Sequence, residues 1–211
     1  MSLIVDFLFP TNCVVCGATP SVICPGCQPK SERLKVTLGE LELVAAERFE
    51  GDVASIIRIF KDRKLIALAK VLAELVDQSI ELDPDCEFLA FPPSSKAHFR
   101  RRGFHPVQLI AERSKTLSSL ARLPVRMQRQ IAEQRQLGAA SRAENLRESF
   151  RVKPGSGRVL LFDDVVTTGA TMGELARAVG AAGYEIAGGC AITVSSGFPV
   201  LPQAKKGVVC S

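Results

Sequence analysis

Residues 159–171 carry the densest chemistry of the chain. Four apolar residues (159–162) precede Asp163, Asp164, Val165, Val166, Thr167, Thr168, Gly169, Ala170 and Thr171. This order reads as an apolar strand that delivers two carboxylates and then a hydroxyl-rich loop to the start of a helix. Loop amides and the hydroxyls of Thr167, Thr168 and Thr171 suit a phosphate, which the positive end of a helix also favours. Gly169 lets the backbone approach closely. The two carboxylates would repel that phosphate, so they suit neutral hydroxyls, as on a ribose, or a hydrated Mg2+. A phosphorylated sugar satisfies both halves. Neither GxxxxGK[ST] nor GxGxxG occurs, which sets aside a P-loop and a dinucleotide fingerprint. A purely structural turn, with Thr171 and Glu174 as a capping box, would explain neither the adjacent acids nor the three threonines.

A second cluster points to metal. Cys13, Cys16, Cys24 and Cys27 form two CxxC pairs within fifteen residues of a chain with seven cysteines. Each CxxC turn aims two thiolates at one centre, and two such turns complete the tetrahedral sulfur shell that Zn2+ prefers. A disulfide pair and an iron–sulfur cluster use the same residues; zinc is the expected occupant, in a closed structural site. Cys86, Cys190 and Cys210 are given no role.

Charge is unevenly spread. Residues 93–153 hold 14 Lys or Arg against 4 acids, hence +10, while the rest of the chain holds 13 basic and 18 acidic residues, hence −5. A patch of that sign attracts polyanions, whether phosphorylated metabolites or nucleic acid. Apolar residues make up 46% of the 211 and charged ones 23%, which excludes a disordered or fibrous chain. One main domain with a small satellite is expected. Having no Trp and one Tyr, the chain lacks the material for large aromatic platforms. Residues 1–10 are too short to span a bilayer, are interrupted by Asp6 and lack a basic flank, so a cytoplasmic location without a membrane span is expected.

The elements that must position these residues can be read in outline. Residues 34–49 alternate around Gly39 as a hairpin, expected to join the cysteine module to the main body. Residues 53–59 and 65–76 repeat apolar side chains at helical spacing, as two helices or one kinked helix. Residues 88–91 form a short strand that Pro92 and Pro93 end. Pro106 opens a helix whose apolar face runs towards Leu120, and residues 123–127 form a second strand. Ser141 and Glu144 have capping-box spacing. Residues 153–157 turn, and residues 159–194 read as strand, loop, helix, strand. The expected fold is α/β with a mainly parallel sheet, its ligand beyond the carboxyl ends of the strands.

At these residues the chain resembles known proteins. Residues 159–171 are similar to the phosphoribosyl diphosphate (PRPP) signature of type I phosphoribosyltransferases. The resemblance implies that Asp163 and Asp164, the catalytic candidates, bind the ribose hydroxyls. It likewise implies that residues 165–171 hold the 5′-phosphate. Thr167 stands where purine-salvage members carry Asp, which argues against hypoxanthine or guanine as substrate.

Nearly the whole chain resembles the ComF family of competence-associated, phosphoribosyltransferase-like proteins. The shared features are the cysteine ribbon, Phe60 and Lys61 ahead of an LAxxLA helix, the run Phe91, Pro92, Pro93 and Ser94, and the run from Arg100 through Arg101, Arg102 and Gly103 to Phe104. A block from Gln134 through Ser141 and Glu144 to Phe150 completes the set. Lys64 stands where Gly is usual, and His105 with Pro106 replaces Asn-Gln.

The resemblance implies a type I phosphoribosyltransferase-like domain at 51–211, a zinc ribbon at 1–32 and a connecting hairpin at 33–50. It also implies Mg2+ bound with PRPP. Pro93, Ser94 and Ser95 would face the pyrophosphate, and Lys96 with Arg100, Arg101 and Arg102 would cover the site as a basic flap. ComF resemblance further implies a role in natural transformation, with single-stranded DNA and other competence proteins as partners. Phe99 and Phe104 could stack bases, though packing within the flap is the simpler use of both. Three functions fit: a phosphoribosyltransferase of unknown acceptor, a non-catalytic PRPP sensor, and a DNA-binding component of uptake.

Overall fold

A computed structural model describes residues 12–128, 146 and 148–201. The chain begins there with a single 3-10 turn, Pro25–Cys27. It continues through strands β1 (Leu34–Leu38) and β2 (Leu41–Arg48) and helices α1 (Gly51–Asp62) and α2 (Leu68–Ser79). Strand β3 (Cys86–Ala90), short helices α3 (Lys96–Arg102) and α4 (Pro106–Ala111), and strands β4 (Ala121–Arg122), β5 (Val125–Met127) and β6 (Phe150–Val152) follow. Strand β7 (Arg158–Val166), helix α5 (Ala170–Ala181) and strand β8 (Glu185–Val194) close the order.

Six strands form one sheet in the order β1-β2-β8-β7-β3-β4. Among the described residues, the strand pairs of this sheet are parallel except β1–β2, which is antiparallel. This is the expected α/β fold with a mainly parallel sheet. Its central strands are covered on both faces, which is why β7 and β8 read as near-continuous apolar runs. On one face α1 buries Val53, Ile56, Ile57 and Phe60, the i, i+3, i+4, i+7 stripe that makes it a helix, and α2 buries Leu68, Leu72, Leu75 and Val76. These pack on Phe162 and Ile192. On the other face Met172, Leu175 and Val179 of α5 pack on Val159, Leu161 and Ala191. The two stretches at helical spacing are thus two helices, and the left-handed residue Lys64 (φ 57°) lies in their connection. That conformation is the one a glycine adopts at no cost, and glycine is what the ComF pattern has there.

Several expectations change. The hairpin is the edge of the main sheet, because β2 pairs in parallel with β8, Val44 opposite Cys190. Residues 123–127 do not continue one strand. Pro124 has no N–H to give a ladder, and the chain splits there into β4, which pairs with β3, and β5, which pairs with β6 as a separate two-stranded ribbon. The helix opened by Pro106 ends at Ala111, and a 3-10 turn at Leu117–Ser119 follows. Glu174 forms no capping box. Its carboxylate accepts from the Phe150 N–H at 3.0 Å and pairs with Arg177 at 2.7 Å, tying the ribbon to α5.

The Ser141–Glu144 capping box, most of the block from Gln134 to Phe150, and Cys210 lie outside the described residues. No helix among the described residues is long and apolar enough to cross a membrane.

Candidate functional site

Strand β7 brings both acids to the carboxyl end of the sheet, and both are buried. Side chains alternate along a strand, so Phe162 and Asp164 face the α1 side while Leu161 and Asp163 face the α5 side. The two carboxylates accordingly have different partners. Lys61 at the end of α1 places Nζ 2.7 Å from Asp164 Oδ2. Asp163 Oδ1 accepts the Asp164 N–H at 2.8 Å. Burial, reinforced by the neighbouring Asp164 charge and opposed by Lys61, pushes the Asp163 carboxyl up to about 7.

Beyond Val166 the backbone is pinned to β8. Ser195 donates its N–H to the Val166 carbonyl and its hydroxyl to the Thr167 carbonyl, both at 2.9 Å. Thr167 and Thr168 are exposed. Gly169 turns left-handed at φ 77° and caps α5, and Thr168 Oγ1 accepts the Ala170 N–H at 3.4 Å. The first full helical bond runs from the Gly173 N–H to the Gly169 carbonyl. The opening N–H groups of a helix have no carbonyl one turn earlier, and this first turn carries no acidic residue. An anion fits there. A Cβ at Gly169 would in addition run into the Leu38 side chain, which would have to move aside.

The register sets the neighbouring loop. Ala90 lies beside Leu161, so residues 91–95 leave the sheet where β7 reaches its acids. Pro93 and Ser94 line a cavity there with His105, Gln108 and Arg122, and the Arg122 guanidinium sits over the Phe91 ring at 4.8 Å. The run read as a basic flap is helical. Ser95 caps α3 by accepting the His98 N–H at 3.1 Å, Lys96 opens the helix, Arg100, Arg101 and Arg102 form its last turn, and Gly103 ends it at φ 81°. Phe104 packs at a tilt on buried Phe60, ring centroids 5.2 Å apart, whereas Phe99 is exposed and stacks on the His105 ring, centroids 4.5 Å apart.

Pro93, Ser94 and the residues from 163 to 171 therefore share the carboxyl edge of the sheet. Lys61 joins the site without being among the residues the sequence points to there. Its one cue is its place in the Phe60–Lys61 pattern.

The cysteines form a second candidate centre. The Sγ atoms of Cys13, Cys16, Cys24 and Cys27 all lie within 4.8 Å of one another, with Cys16 and Cys24 3.6 Å apart. Four thiolates about 2.3 Å from one Zn2+ stand about 3.8 Å apart, so the donor set fits the ion. Gly17, left-handed at φ 78°, returns its N–H to the Cys13 carbonyl at 2.8 Å and closes the first turn. Hydrogen bonds from the backbone of Cys16 and Cys24 lower the Cys13 thiol to about 6, while hydrogen bonds with the Cys24 and Cys16 thiols raise that of Cys27, so the four sulfurs share their protons unevenly. Ile23 packs into the main core with Val14, Val15 and Val22 around it. Gln28 reaches Glu74 of α2 at 3.2 Å.

No protein-family model matches the chain. The DNA utilization protein YhgH of Salmonella typhimurium is 28% identical over 188 residues, covering 78% of this chain and 76% of that protein. Competence protein F of Haemophilus influenzae is 27% identical over 157 residues, 68% of this chain and 69% of that one. Among solved structures, an adenine phosphoribosyltransferase matches 66% of this chain and 75% of its own at 16% identity and TM-score 0.38. That of Leishmania tarentolae matches 69% and 76% at 15% identity and TM-score 0.33. The chain is thus similar to proteins named for competence and DNA utilization, which is in keeping with the resemblance to the ComF family that its motifs carry.

Proposed function

We propose that the chain binds PRPP together with Mg2+ and acts in the use of incoming single-stranded DNA. The observation that carries the first half is the succession of two buried carboxylates and a left-handed Gly169 turn into α5. Asp163 and Asp164 receive ribose hydroxyls. The residue 165–171 loop takes the 5′-phosphate on its amides and hydroxyls. Pro93, Ser94, Lys96 and the last turn of α3 lie towards the pyrophosphate. When transfer occurs, the bond from ribose C1 to the pyrophosphate oxygen breaks as the acceptor's lone pair attacks C1. The arginines then meet charge that builds on the leaving group. Mg2+ bound with PRPP supplies further neutralisation of that charge. The test is calorimetric titration with PRPP and Mg2+, followed by pyrophosphate release against bases, amines and single-stranded DNA. Binding with release tied to one acceptor marks a transferase; binding without release marks a sensor; no binding removes the reading.

The DNA half rests on the names of the relatives and on the charge of α3, whose last turn is three consecutive arginines beside exposed Phe99. Weak binding of single-stranded DNA with little sequence preference is expected. Its affinity should fall with salt at about 0.7 log unit per log unit for each phosphate neutralised. Fluorescence anisotropy across a salt series measures that slope, and replacing Arg100, Arg101 and Arg102 by Ala should flatten it. An unchanged slope would move DNA off α3.

A further inference from the structure

The strand end that would draw a metal already has a cation. Two adjacent buried carboxyl groups make an oxygen-rich setting of the kind that attracts a hydrated divalent ion. Lys61 Nζ, however, sits 2.7 Å from Asp164 Oδ2, with 19% of the lysine side chain and 9% of the carboxylate exposed. Both ends of this pair are fixed. Phe60 beside the lysine is fully buried against Phe104, and α1 closes with the Arg63 N–H on the Ile59 carbonyl. Asp164 is held in the β7 ladder, gives its N–H to Asp163 and accepts the Thr193 hydroxyl on its carbonyl. An ammonium held this way occupies an Asp164 lone pair and offsets that carboxylate's charge.

We propose that Lys61 is the resident counter-cation of the site. It orients the Asp164 carboxylate and keeps divalent metal off the two acids in the free protein, so that metal enters only on the phosphates of the ligand. The part concerning the ligand rests on the PRPP reading above; the exclusion of metal is a property of the chain alone.

Mn2+ is the probe, followed by the electron paramagnetic resonance of the free ion, with zinc-loaded full-length protein and no PRPP present. Wild type and Lys61→Arg should bind Mn2+ weakly. Lys61→Met and Lys61→Gln, which keep the length of the side chain but lose the charge, should each bind about tenfold or more tightly. The gain should disappear when Asp164→Asn is added to Lys61→Met. Mn2+ affinity equal to wild type in both uncharged variants, or a gain that survives Asp164→Asn, would overturn the proposal. A lysine that only supports the fold would change thermal stability and leave Mn2+ affinity alone. The same proteins titrated with PRPP separate the two claims. Metal exclusion with no PRPP binding removes the ligand reading, and PRPP binding with unchanged Mn2+ affinity removes the role of Lys61.

Discussion

Asp163→Asn combined with Asp164→Asn should weaken PRPP binding by about a hundredfold or more, because hydrogen bonds to a charged partner contribute about 1.5–3 kcal/mol each and two are removed. The fold should stand. Asn at 164 leaves the partly buried Lys61 facing a neutral amide, which costs stability, whereas Asn at 163 removes a carboxyl that burial penalises, which restores some. The pH dependence separates these effects. Asp163 titrates at about 7 in the folded chain, above its ordinary 3.8, so between those values the native state holds a proton that the unfolded state has released. Stability therefore falls as pH rises across that window. Asp163→Asn alone should flatten the profile and raise the melting temperature above pH 7 relative to wild type. Calorimetry of PRPP binding and thermal melts from about pH 4 to 8, which cover the window, provide the two readouts. A double variant that binds PRPP as tightly as wild type would show that the acids do not hold the ribose.

Zinc removal should have a larger structural effect. Structural zinc contributes about 10–16 kcal/mol in small cysteine peptides, more than most whole domains possess as net stability. Among the described residues, the module from 12 to 32 has one short 3-10 turn as its only helix and no strand. Without the ion the stretch from 13 to 27 keeps the packing of Val14, Val15, Val22 and Ile23 on the main core, while the hydrogen bonds to α2 and β2 come from Gln28, Ser31 and Glu32 beyond it. One zinc per chain is expected by metal analysis. Chelation, or Cys13→Ser with Cys24→Ser, should abolish hydrogen-exchange protection at residues 13–27 and leave the β7–β8 ladder protected. Zinc near zero in protein never exposed to chelator, or zinc unchanged in the double variant, would sink the assignment. Iron with visible absorbance would replace zinc by a cluster.

What the sequence made legible was whatever its chemistry kept local. The succession from Val159 to Thr171 names strand, acids, loop and helix within thirteen residues, and the four cysteines span fifteen. The hairpin is equally visible in its alternation, but nothing local says that β2 will lie beside a strand more than a hundred residues further on. Pro124 marked the break between β4 and β5, yet the apolar residues around it suggested one strand. In the basic run, Ser95 and Gly103 are ordinary helix-capping residues at the separation a short helix needs, so the helix is legible there although the arginines dominate the composition. Lys61 had no such cue. Its neighbours describe only an amphipathic helix end, and its partner lies on a strand brought alongside by the packing of Phe60.

The contact of Leu38 with Gly169 makes these two positions mutually dependent in any future divergence of the chain. A side chain at 169 meets two obstacles of different kinds, the Leu38 methyl groups and its own left-handed backbone at φ 77°. Shortening Leu38 removes the first and leaves the second, about 1–2 kcal/mol for a residue with a Cβ. Shortening Leu38 therefore lessens the cost of alanine at 169 without removing it, and the coupling has one size read from either position. The tip of a hairpin far away in sequence thus restricts which mutational routes remain open to the phosphate loop.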